Sequence, residues 1–135
     1  MFKLYIIIIF LVISAAFSNS VMDTLQFRYN KSIFASDSFN QEFFNPKISW
    51  KNKWKDGDSK KGEKFLGSST VFVMFADAWH LAQFFMFTFF ELIFITMYYF
   101  WKKPRWYISF FQLVLLKVIF GVIFELSFTK ILIIS

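Results

Sequence analysis

The chain has 135 residues, of which 57% are hydrophobic, 24% aromatic and only 18% charged, against about 25% charged in ordinary globular chains. This composition excludes intrinsic disorder, which needs few aromatics and a high net charge. With no cysteine there is also no disulfide framework, thiolate metal site or cysteine nucleophile.

Residues 1–22 form the first apolar block, with Lys3 ahead of the run Ile6-Ile7-Ile8-Ile9. A basic residue, an apolar core and the small-residue pattern Ala16-Phe17-Ser18 also fit a cleaved signal peptide. Apolar character continues through Val21-Met22, which favours an uncleaved first transmembrane helix. Either way the next segment is exported.

Residues 23–69 are polar by comparison but are not a plain linker. Nine basic and six acidic residues are interleaved there with Phe27, Tyr29, Phe34, Phe39, Phe43, Phe44, Trp50, Trp54 and Phe65. A flexible spacer has no need of so many rings. Asn45-Pro46 and Asp56-Gly57-Asp58 are turn signals. The expectation is short helices or irregular turns on the membrane surface, with Trp50 and Trp54 on one helical face.

Residues 70–101 read as a second transmembrane helix, with Ser68-Ser69-Thr70 offering its N-cap. The basic turn at residues 102–105 follows, and residues 106–135 read as a third transmembrane helix. Tyr98, Tyr99 and Trp101 precede the turn, and Trp106 and Tyr107 follow it, as rings placed at headgroup depth. The turn carries three positives and no acid, which assigns it to the cytoplasm and residues 23–69 to the outside. The net charge of +6 is explained by this topology better than by a nucleic-acid partner, and none is expected.

Ionisable side chains inside spanning helices need a reason. The second block holds Asp77, His80 and Glu91; the third holds Lys117, Glu125 and Lys130. At about 100° per residue Asp77, His80 and Glu91 share a stripe, as do Lys117, Gly121 and Glu125. Glu91 and Lys117 both lie roughly 15 Å from the aromatic belt, counted at about 1.5 Å per residue. The expectation is a buried ion pair that pins two antiparallel helices, ahead of a proton or ion pathway, which three helices alone would line poorly.

By the same count His80 and Glu125 are level near the outer face, with Asp77 one turn further out and Asp23 on the same rim. Asp77, His80, Glu125 and Asp23 are therefore the weak catalytic candidates, and Asp77, His80 and Glu125 the weak ligands for a divalent metal. The blander alternative, a His80–Asp77 hydrogen bond that caps the loop interface, comes first. No H-E-x-x-H, phosphate loop, G-x-S-x-G or dinucleotide fingerprint is present, and no cofactor is expected beyond that possible metal.

The stretches Met22-Asp23-Thr24-Leu25-Gln26-Phe27, Asn45-Pro46-Lys47-Ile48-Ser49-Trp50-Lys51-Asn52-Lys53-Trp54 and Asp77-Ala78-Trp79-His80-Leu81 resemble a group of small uncharacterised membrane proteins of Bacteroidota-type bacteria. The resemblance implies a membrane location and no reaction. Taken together, the expectation is an all-α integral membrane protein of the bacterial inner membrane, with three spanning helices and an outer aromatic-rich segment. Its role would be that of a structural or accessory subunit, or a scaffold, for a membrane protein partner or a further copy of itself. A membrane-embedded enzyme or metal-binding protein built on the outer Asp/His/Glu cluster is the competing class.

Overall fold

The structure, a computed structural model, describes residues 2–126, with side chains described at 3–119 and 122. Regular structure among the described residues is helical: α1 (Phe2–Phe27), α2 (Gln41–Phe44), α3 (Ala78–Lys102) and α4 (Trp106–Leu126), with short 3-10 stretches between 29 and 75. No strand is formed among them, and an isolated antiparallel bridge pairs Trp54 with Glu63. The described residues divide into two compact units, one of residues 2–11 and 90–126 and one of residues 12–89.

Two element boundaries differ from the sequence expectation, and a third lies beyond the described residues. The first helix runs past residue 22 to Phe27, because no glycine or proline intervenes, and it ends where Arg28 leaves helical geometry at φ −134°. The long helix of the second block begins at Ala78 rather than near residue 70. Ser68-Ser69-Thr70 does not cap it; these residues lie in a turn initiated by Gly67 at φ +74°. β-branched and aromatic residues from Thr70 to Val73 lose side-chain freedom in an α-helix, and the chain instead takes a 3-10 turn at Val73–Phe75. The third helix is described as far as Leu126; Lys130 and the rest of the expected span to residue 135 lie outside the described residues.

Trp50 and Trp54 do not share a helical face. Ser49–Lys53 is a 3-10 helix, whose repeat of about three residues brings i and i+3 together rather than i and i+4. Trp54 ends that helix in extended geometry, and Trp50 turns out with its indole N–H donating to the Lys47 carbonyl at 3.1 Å.

Within residues 12–89, burial on α1 falls at Ala15, Ser18, Met22 and Leu25 and continues to Tyr29. The 3-4-3-4 spacing is that of a packing seam, with small side chains at its start. Leu25, Tyr29 and Ala78 form the buried core, and Val21, Phe34, Ala35, Phe43, Phe44 and Trp79 pack around it. Gln41 organises the surrounding loop. Its amide nitrogen donates to the carbonyls of Phe34, Ser36 and Phe39, and its oxygen accepts from the Tyr29 hydroxyl. Buried polar groups are thereby satisfied, as a stable loop requires.

In the other unit Tyr99, Trp101, Trp106 and Tyr107 are exposed around the turn between α3 and α4. Lys102 lies over the Trp101 ring at 4.2 Å, and Lys103 takes the left-handed conformation, φ 46°, that ends α3. α1 and α3 are long and apolar enough to cross a membrane. Only 17% of the apolar stretch of α1 and 11% of that of α3 is buried inside the molecule. That is far from the mostly buried state of a soluble protein's core helix.

Gly67 provides a test of the turn that delays α3. A Cβ there would meet the Phe72 ring at 3.0 Å in a conformation L-residues avoid. Gly67→Ala is expected to cost about 1–2 kcal/mol, read as a lower thermal midpoint in detergent, with the helix content of α3 unchanged.

Candidate functional site: the polar junction at the start of α3

The strongest polar constellation lies where the loop meets the first turn of α3. Asp77 precedes the first helical residue, and its carboxylate accepts the His80 backbone N–H at 2.9 Å. This is an N-cap contact, with the acceptor serving the third residue of the helix. The His80 ring folds back on the same carboxylate, Nδ1 lying 2.8 Å from both oxygens. Trp79 packs edge-on to the imidazole at 5.0 Å between centroids.

The other ring nitrogen is engaged from the loop. Lys53 Nζ lies 3.4 Å from His80 Nε2. An ammonium only donates and a carboxylate only accepts. Both contacts are satisfied together by a neutral imidazole that donates from Nδ1 to Asp77 and accepts at Nε2 from Lys53. The partners thus fix the tautomer. Lys53 is held in place through its backbone, whose carbonyl accepts from the Ser68 hydroxyl at 2.6 Å and from the Lys64 N–H at 2.9 Å. Next to it the Asn52 amide donates to the carbonyls of Glu42 and Ala76, at 2.7 and 3.1 Å, tying the loop to the residue before Asp77.

Asp77 is buried, 3% exposed. Burial pushes its carboxyl up, but the hydrogen bonds from the His80 ring and the His80 backbone N–H, with the Lys53 ammonium nearby, together outweigh that effect. They hold the carboxyl below its ordinary range.

Asp77, His80 and Lys53 form an acid–imidazole–ammonium line. A carboxylate orienting an imidazole is also the arrangement of a general base. Here the nitrogen that would take a proton faces a lysine, and the same ammonium opposes a divalent cation at that nitrogen. Among the described residues no group of three or more His, Asp or Glu side chains is placed to hold a metal.

The remaining candidates are distributed elsewhere. Asp23 lies on α1 and accepts from the Asn19 amide at 3.4 Å, in a concavity lined by α1 residues and Arg28 that includes neither Asp77 nor His80. The side chain of Glu125 lies outside the described residues. Glu91 and Lys117 face each other across α3 and α4, Oε2 to Nζ 3.0 Å. The contact is ionic, since Glu91 Oε2 makes no aligned hydrogen bond. Ser109 and Gln112 lie on the same edge of α4 and each bury an oxygen with no hydrogen-bond partner among the described residues.

Lys53 and Asn52 are the residues of this junction that sequence reasoning did not single out as functional. They lie 27 and 24 residues from their partners His80 and Ala76, with no helical period connecting them. The available signal was a polar pair between two tryptophans in a loop too aromatic to be a spacer.

No family model, curated protein or solved structure matches the chain.

Proposed function

We propose that the chain is a small integral membrane protein, with α1, α3 and α4 as three spanning helices, and that it serves as an accessory subunit or scaffold rather than as an enzyme. The observation that carries this reading is the division of its surface. Large apolar side chains are turned outward along the helices: Ile9, Phe10, Ile13 and Phe17 on α1, Phe94 and Met97 on α3, Phe110, Phe111 and Val118 on α4. Soluble monomers rarely leave apolar patches of more than a few hundred Å2 uncovered. The ionisable groups of α3 and its cap, by contrast, are turned to partners: Asp77 to His80, His80 to Lys53, Glu91 to Lys117. A side chain already used to join two elements is a poor candidate for turnover.

The packing seam through Ala15 and Ser18 favours an uncleaved α1. Orientation rests on the basic turn at 102–105, which favours the cytoplasmic side for the turn and the outside for the loop of residues 28–77. The motif resemblance to small membrane proteins of Bacteroidota-type bacteria supports the bacterial membrane location and bears on neither cleavage nor orientation.

Because the chain has no cysteine, single cysteines test the topology directly. In intact cells an impermeant thiol reagent is expected to label Trp50→Cys and to spare Lys103→Cys. Labelling at 103 with protection at 50 reverses the orientation, and a mature N-terminus near Asn19 restores the signal-peptide reading. The accessory role is tested by size. The chain extracted in mild detergent from its native membrane should migrate as an assembly larger than one copy, and a single-copy particle would overturn it.

A further inference from the structure

We propose that residues 65–76 form an interfacial anchor. This short lobe would rest in the headgroup layer of the bilayer that α3 enters, with Leu66, Val71, Phe72 and Phe75 as the side chains it inserts. The inference rests on the membrane reading above and adds a second, non-spanning contact with lipid.

The first observation is exposure without a covering element. Leu66 is 87% exposed, Val71 74% and Phe75 63%, and Phe65 and Phe72 are also exposed. They belong to one local structure. Gly67 turns the chain, the Phe72 ring lies against Gly67, and Phe72 stacks on Phe75 at 6.4 Å. Apart from the half-buried Val73 and Met74 and the buried Ala76, the lobe directs its apolar side chains outward, and none of them belongs to the core of residues 12–89.

The second observation concerns the backbone. A polypeptide leaving water must satisfy its own N–H groups. Here Ser68 N–H donates to Phe65, Thr70 and Phe72 N–H to Gly67, Val73 N–H to Thr70, Phe75 N–H to Phe72 and Ala76 N–H to Val73. The N–H groups of Gly67 and Ser69 are taken by the Glu63 carboxylate, which also accepts the Ser69 hydroxyl. These contacts, the Ser69 hydroxyl foremost, hold the Glu63 carboxyl below its ordinary range. A carboxylate spent on capping a turn leaves the outer face of that turn apolar.

The third observation fixes the depth. Phe75 is three residues before Ala78, where the spanning helix starts, a distance of at most about 10 Å even in extended chain. The turn at 67–70 is tied to the same level, because buried Ser68 bonds the Lys53 carbonyl while Lys53 Nζ meets His80 in the first turn of α3. The headgroup layer occupies roughly 5–8 Å on each side of the hydrocarbon, so the lobe and the helix start share it. Exposed Lys60 and Lys64 precede the lobe, and Lys64 borders one cleft with Phe65 and Phe75. Cations at the margin of an apolar surface suit lipid phosphates.

Single-cysteine variants Leu66→Cys and Val71→Cys, both at exposed side chains, are labelled with an environment-sensitive fluorophore in phosphatidylcholine/phosphatidylglycerol vesicles. Ser59→Cys in the loop and Phe94→Cys on α3 serve as water and bilayer references. Quenching at 66 and 71 by aqueous iodide is expected to be several-fold weaker than at 59, and quenching by a lipid carrying a headgroup-level nitroxide several-fold stronger. Iodide access at 66 and 71 equal to that at 59, with Phe94→Cys still reached by a deep-chain nitroxide, overturns the anchor and leaves the spanning helices intact. Shielding from both quenchers shows that protein covers the lobe, which also overturns it. Iodide access at 94 removes the membrane reading itself, and the anchor with it.

Discussion

Lys117→Leu and Glu91→Leu, made singly, are each expected to lower the folded yield and the thermal midpoint in detergent sharply, and the double change to recover much of the loss. Either single change leaves one ionised group between two apolar helices. Breaking one side of a buried pair typically costs about 3–5 kcal/mol, whereas replacing both partners by apolar groups is often neutral or stabilising. The 3.0 Å approach of Nζ to Oε2 makes the two groups direct partners. With Glu91 14% and Lys117 29% exposed along their side chains, neither is well placed to escape toward water. On the membrane reading proposed above, lipid makes the asymmetry larger, since a lone charge at the centre of a spanning helix has no solvent to turn to. The measurement is a double-mutant cycle on thermal midpoints. Additive losses would mean that the two groups act independently.

That pair was legible from counting alone. The aromatic belts at Tyr98 to Trp101 and at Trp106–Tyr107 set the register of a tight helical hairpin, and equal counts along two α-helices give equal depth. The His80–Asp77 contact was likewise accessible, because i and i+3 adjoin on any helix or its cap. The start of α3 was not. Residues 70–76 are at least as apolar as the helix that follows. Only the left-handed turn at Gly67 and the carboxylate of Glu63 show that the chain is not yet helical there. A hydropathy reading has no term for a carboxylate that caps a turn from four residues upstream. Lys53 was missed for a related reason: its contact with His80 spans 27 residues of irregular chain.

The same turn connects the two readings of the polar junction at the start of α3. An α3 begun at residue 70 would have placed Asp77 two turns inside the helix, where an uncompensated carboxylate calls for a ligand. Beginning at Ala78 makes Asp77 the residue that caps the helix and orients the imidazole, so its charge has a structural use. The Asn52 and Lys53 contacts then fasten the loop over that cap, and the lobe of residues 65–76 is held at the helix start by the Lys53–Ser68 hydrogen bond.

Asp77→Ala is therefore expected to be among the most damaging changes at the junction of loop and helix. It removes the acceptor for the first turn of α3, worth about 1 kcal/mol for an N-cap. It also leaves the His80 Nδ1–H without its partner in a largely buried place, on the order of a further 1–3 kcal/mol. Asp77→Asn keeps a capping oxygen and removes the charge, so its loss should be smaller, and the difference between the two variants separates capping from charge. The pH dependence follows from the direction of the Asp77 shift. Because its carboxyl is held below the ordinary range in the folded chain, folding favours the ionised form. That contribution is fully present above the ordinary carboxylate value. It declines as pH falls below that value and is gone once the pH has passed through the lowered folded value. Thermal midpoints of the wild-type chain and of Asp77→Asn, measured from neutral pH downward, should stay separated until the pH enters the ordinary carboxylate range and converge below it. A gap that persists unchanged to the acid limit would assign the stabilisation to hydrogen-bond geometry alone, with no part for the carboxylate charge.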